Sequence, residues 1–146
     1  MLFKFINLLK SAFFRKKWNI AIVKISKKNF INLKNLDFIE KKFKKITLND
    51  NKYIFFADPF PINNQLLLVE AMNKKNVGEL ILIDLKKNKI IKKFSEFKGH
   101  ISFPFLFFDK KKVFLIPEIS HWSGQRIYSY NIKKNDIFNK KFIQGL

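Results

Sequence analysis

The stretch ADPFPINNQLLLVE, residues 57–70, followed by GELILID, residues 78–84, decides the fold because the chain repeats it. It returns as SFPFLFFDKKKVFLIPE, residues 102–118, followed by GQRIYSY, residues 124–130. Pro59 matches Pro104 at an offset of 45, Gly78 matches Gly124 at 46 and Glu70 matches Glu118 at 48. Each copy reads as a Pro-Phe opening, a polar turn, an apolar strand ending in Glu, a loop with Gly and a further strand. A period of 40–50 residues with about four short strands is that of one β-propeller blade. The alternative is a pair of hairpins that are alike without common architecture.

Working outward, residues 20–25, 52–56, 66–70, 80–83, 101–108, 113–116 and 127–130 are short runs rich in Phe, Ile, Val and Tyr between Asn/Lys clusters, as half-buried strands require. The expectation is a mainly β chain: a partial β-propeller of about two to two and a half blades of antiparallel strands, with a short N-terminal helix. Residues 1–17 form the helix unit and residues 18–146 the incomplete propeller-like domain. Propellers use 4–8 blades. Such a fragment therefore needs further blades from a longer polypeptide, from another chain or by self-association, or else it exposes a strand edge.

The N-terminal segment carries Leu2, Phe5, Ile6, Leu9 and Phe13 at helical spacing and closes on Arg15, Lys16 and Lys17, where cations suit the helix dipole. Lys10 interrupts the apolar run and no small-residue cleavage site follows, so it reads poorly as a signal peptide. It either packs on its own domain or lies on anionic lipid. No stretch reaches the ~20 apolar residues that span a bilayer.

The 30 Lys+Arg against 11 Asp+Glu give a net charge of +19, which invites a polyanion as partner. Yet Lys outnumbers Arg 28 to 2, and Phe, Ile, Asn and Lys make up 82 of the 146 residues, the bias of an A+T-rich genome. A surface selected for phosphate and guanine would favour the Arg fork, so the composition argues against nucleic acid. With no Cys there is no disulfide framework, thiol nucleophile or Cys-ligated metal, and the four dispersed Gly offer no phosphate-cradling loop. No cofactor is expected, and the location expected is cytoplasmic, peripheral at a membrane if the helix lies on lipid.

FFADPFP, residues 55–61, and HISFPFLFF with VFLIPEIS, within residues 100–120, resemble the signature of the glucosamine inositolphosphorylceramide transferase N-terminal domain family, with WNIAIVKI, residues 18–25, similar to its early Trp-containing strand. That resemblance covers residues 18–131. It implies the first half of a domain similar to five-bladed glycosidase-type propellers, found in glycolipid and surface-polysaccharide assembly. In the similar glycosidases the Asp of the first Asp-Pro is a general base, matching Asp58-Pro59. The next Asp-Pro supplies a modulating acid, replaced here by Phe103-Pro104. The general acid comes from a later blade. Where the family has Gly in its turns this chain has Asn63-Asn64 and Lys110-Lys111, and Asn tolerates positive φ.

Among the 11 acids, Asp37, Glu40, Asp50, Glu79, Asp84, Glu96, Asp109 and Asp136 lie in Lys- or Asn-bearing stretches and read as surface or turn residues. Asp58, Glu70 and Glu118 end or interrupt apolar strands, where desolvation tunes a carboxyl. Asp58 and Glu118 are the candidate catalytic pair, and Glu70, His100, His121 and Trp122 the candidate ligand-binding residues. His100 is placed to meet Asp58, and Trp122 to stack on a sugar ring. Two His without fixed spacing to an acid do not make a metal motif. Trp18 reads as core. The expected function is a carbohydrate-recognition or scaffold module for a glycan or glycolipid head group, catalytically incomplete alone. The alternatives are a basic peripheral membrane module and a vestigial glycoside hydrolase-like fragment.

Overall fold

The computed structural model describes residues 18–23, 43–110, 112–119 and 125–143. The proposed N-terminal helix, His121, Trp122 and Gly124 lie outside the described residues. Within them the chain is mainly β: ten strands form three antiparallel sheets. A ribbon joins β1 (Ala21–Ile22) to β2 (Lys44–Lys45). A first four-stranded meander holds β3 (Tyr53–Pro61), β4 (Leu66–Asn73), β5 (Gly78–Asp84) and β6 (Lys89–Lys93) in chain order. A second meander holds β7 (Ile101–Asp109), β8 (Lys112–Ile119), β9 (Gln125–Asn131) and β10 (Asp136–Ile143).

The sheets stack face to face, and strand alternation sorts their side chains. On one face of the first sheet Leu67, Val69, Ala71, Ile81 and Ile83 close a core with Ile20 and Ile46 of the ribbon region. On its other face Ile62, Leu68, Leu80 and Leu82 meet Ile101, Leu106, Val113, Leu115, Tyr128 and Tyr130 of the second sheet. Covered on both sides, β4 and β5 read as nearly continuous apolar runs. Phe94, in the connection between the sheets, fills the same core and packs at 6.4 Å from the Tyr130 ring. Lys92 of β6 reaches across to Asp136 of β10 at 2.6 Å.

Asn and Asp side chains build the tight turns. Asn63 Oδ1 accepts the amides of Gln65 and Leu66, Asn73 Oδ1 those of Lys75 and Val77, and Asn131 Oδ1 those of Lys133 and Lys134. Positive φ falls elsewhere, at Asn76, Asn88, Lys110 and Asn135. Asn63 and Asn64 thus replace a turn glycine through a side-chain acceptor, and not through backbone permissiveness.

The repeat is real in three dimensions, with one correction. Phe60 faces Leu68 as Phe105 faces Ile116, and Ala57 faces Glu70 as Ser102 faces Glu118, which fixes β3 to β7 at 45 and β4 to β8 at 48. Leu66 faces Asp84 and Phe114 faces Ser129, so β5 maps to β9 at 45, one less than matching Gly78 to Gly124 requires. A one-residue slip exchanges the two faces of a strand, so the correction decides which side chains are equivalent. Trp18 is a second correction: it is 64% exposed, and its carbonyl accepts the Phe56 amide at 3.4 Å.

Candidate functional site

Both sheets carry the same irregularity on their first strand. The register shifts between Ala57 and Phe60 in β3 and between Ser102 and Phe105 in β7. Each bulge holds a non-glycine residue at positive φ just before a proline: Asp58 at 47° and Phe103 at 44°. Bulges re-aim side chains beside functional sites. A bulky residue at positive φ is an outlier, one that persists only where its surroundings over-determine it.

The bulge turns Asp58 toward Glu70, which faces the neighbouring Ala57 across β3 and β4. Glu70 lies on the Leu68 side of β4, against the second sheet, and is 6% exposed. Burial, then the hydrogen bond and charge of Asp58, then the charge of Glu118, push the Glu70 carboxyl up to about 7. The protonated Glu70 donates to Asp58. Glu118 is exposed at the end of β8, where Ser102 Oγ donates to its Oε2 at 3.4 Å.

His100 closes the group from the chain segment entering β7. Its Nδ1 accepts the Gly78 amide at 2.9 Å, so the neutral ring carries its proton on Nε2, 3.9 Å from Glu70 Oε1. The imidazole thus meets Glu70, where Asp58 was the expected partner. Gly78, read from sequence only as a loop glycine, belongs to the site. A Cβ there would run into the carbonyl oxygen of Ile101 and come within 3.0 Å of both Glu70 Oε1 and His100 Cε1. Sequence marked the glycine but not its reason, which is close approach between two sheets.

An aromatic cluster flanks the group. Phe60 stands edge-on to Phe103 at 5.2 Å and to Phe105 at 5.6 Å, while Phe103 and Phe105 stack at 6.5 Å. Phe103 is 47% exposed, so an open ring sits at the bulge equivalent to that of Asp58.

Two acids expected to be plain surface residues are more than that. Asp84 is buried and accepts the amides of Lys86 and Lys87 and the Gln65 side chain. The Lys87 amide, working against burial, holds its carboxyl below the usual range, with help from Gln65 and Lys86. Burial alone would raise the Glu79 carboxyl, but bonds from Lys93, Asn73 and Tyr53 bring it below the usual range.

Asp58, Glu70, Glu118 and His100 are brought to one place. Asp58 and Glu70, sharing a hydrogen bond, are too close to flank a glycosidic bond, which needs carboxyl groups about 5 Å or more apart. A buried carboxyl pushed up to about 7 beside a second carboxyl offers both a donor and an acceptor to hydroxyl groups. Among the described residues no three His, Asp or Glu are arranged to hold a metal ion, and no helix is long and apolar enough to cross a membrane. The chain matches no protein-family model, no curated protein and no solved structure.

Proposed function

We propose that the chain is a partial β-propeller that recognises a carbohydrate at the Asp58, Glu70, Glu118 and His100 group, as a binding or scaffold module in glycolipid or polysaccharide assembly. The observation that carries this reading is the meeting of the Asp58, Glu70, Glu118 and His100 side chains at one place beside the exposed Phe103 ring. Carboxyl groups pair with sugar hydroxyls, and an aromatic face covers the apolar side of a pyranose. The stacking of two like-built four-stranded sheets, 45 residues apart in sequence, supports the propeller half of the reading. The motif resemblance to the transferase N-terminal domain supports the pathway. A role as a complete hydrolase is not proposed, because the Asp58 and Glu70 carboxyl groups are in contact.

A glycan array that includes inositol-containing head groups, followed by calorimetry on the best ligand, tests it. Binding that falls at least tenfold in both Asp58→Asn and Glu118→Gln supports the reading. No bound glycan, or affinity unchanged in both variants, refutes it.

A further inference from the structure

Residues 94–100 carry the chain from β6 of the first sheet to β7 of the second, and three anchors hold this connection. Phe94 is buried in the core between the sheets, and Phe97 stands edge-on to Tyr128 at 5.1 Å. At the far end His100 Nδ1 accepts the Gly78 amide at 2.9 Å. Between the second and third anchors Gly99 has a φ of 88°, a conformation that a side chain would resist, so the backbone bends there. A cleft of about 230 Å³ lies beside the connection, with Gly78, Phe97, Gly99 and Ile101 in its walls.

The third anchor differs from the other two because it takes up a proton. A neutral imidazole has one acceptor nitrogen, and in His100 that nitrogen is engaged by Gly78. Since Nε2 carries the first proton, a second enters at Nδ1, where it sets one N–H against another and removes the acceptor. Acids on the other side of the ring favour that second proton. Glu70 Oε1 of β4 lies 3.9 Å from Nε2, Asp58 of β3 is hydrogen-bonded to Glu70, and the charge of Glu118 of β8 acts on the same carboxyl. From β5 the Gly78 amide opposes it. Glu79, next along β5, is engaged by Lys93 at 2.8 Å, while Glu96 and Lys98 of the connection are exposed. The ring itself is 29% exposed, so solvent protons reach it. We propose that His100 is a proton-operated latch: neutral, it ties the connection to β5, and charged, it releases Gly78, turns to Glu70 and Asp58 and loosens the chain about Gly99, opening the cleft. Imidazole suits such a device because its ordinary change of charge falls between pH 5 and 8. The apolar contacts of Phe94 and Phe97 do not titrate, so the movement is confined to the end nearest Gly99. The latch works in the ligand-free chain and does not rest on the carbohydrate reading.

Nuclear magnetic resonance on the nitrogen-labelled full chain, without ligand, tests the proposal. At pH 8 a scalar coupling between the Gly78 and His100 Nδ1 nitrogens should report the bond directly, and at pH 5 it should be gone. Hydrogen exchange, corrected for its intrinsic pH dependence, should speed up at least tenfold at Gly78, Gly99 and His100 over the same range. The Val77 amide, which bonds to the non-titrating Asn73 Oδ1, should keep its protection. His100→Asn supplies the second arm, because the Asn oxygen takes the place of Nδ1 as an acceptor and gains no proton; its Gly78 amide should stay protected at pH 5. A coupling absent at pH 8, a coupling that persists at pH 5, or the same acid-induced loss of Gly78 protection in His100→Asn overturns the proposal.

Discussion

The Gly78 amide donates to His100 Nδ1 at 2.9 Å, tying the start of β5 in the first sheet to the segment that leads into the second. A methyl group at Gly78 meets the Ile101 backbone, which cannot swing aside as a side chain would. Gly78→Ala is therefore expected to destabilise the chain by about 1–3 kcal/mol through overpacking, measured by urea unfolding. Its proton spectrum should show the His100 Nε2 environment altered, because the ring loses its anchor.

The raised Glu70 carboxyl makes stability depend on pH with a definite sign. An acid that holds its proton more tightly when folded takes up protons on folding, so stability falls as pH rises from its unfolded value near 4.5 to about 7, then levels off. The change is on the order of 3 kcal/mol. Glu70→Gln, which stays uncharged, should remove most of that slope between pH 5 and 8. An unchanged slope would show that the proton sits elsewhere.

Leu115 is fully buried at the centre of the core between the two sheets. Leu115→Ala should cost about 2–5 kcal/mol, because the neighbouring Leu82 and Tyr128 stand on separate strands and close the cavity only in part. Thermal and urea unfolding should agree on the loss.

Lys92 and Asp136 link the outer strands of the two sheets at 2.6 Å, with both side chains partly in water. The Lys92 bond holds the Asp136 carboxyl below its usual range. A pair this exposed contributes little, so Asp136→Asn should shift the unfolding midpoint only slightly, and less still in 1 M salt. A large drop in the unfolding midpoint that salt leaves unchanged would mean that the pair is far drier than its exposure indicates.

What sequence could reveal followed from which strands look apolar. The β4 and β5 runs stand out because both faces are covered, and the two Pro-Phe openings announce the bulges. The strands β6 and β10 escaped because KIIKK and DIFNKKFI carry Lys at the outer edges of their sheets, where charge protects an open edge and erases apolar contrast. The Gly78 to Gly124 match misled by one residue, since equal letters in a loop say nothing of register. Asp58, Glu70 and Glu118 were visible as unusual acids. That Asp58 bonds to Glu70, and that His100 serves Glu70, depends on a bulge and on the stacking of two sheets, neither of which spacing along the chain encodes. Trp18 shows the opposite error: a large aromatic in a strand-like run was read as core and stands in solvent.

Each four-stranded sheet is built from consecutive strands joined by short turns, without a crossover. Every hydrogen-bonded partner is therefore available as soon as its neighbour has been synthesised. During translation the first sheet can close before the second has emerged, and its Leu68 and Leu82 face then waits for β7 and β8 as a template. The ribosome thus delivers these two sheets one layer at a time, and the second of them keeps Phe107 and Phe138 half in solvent.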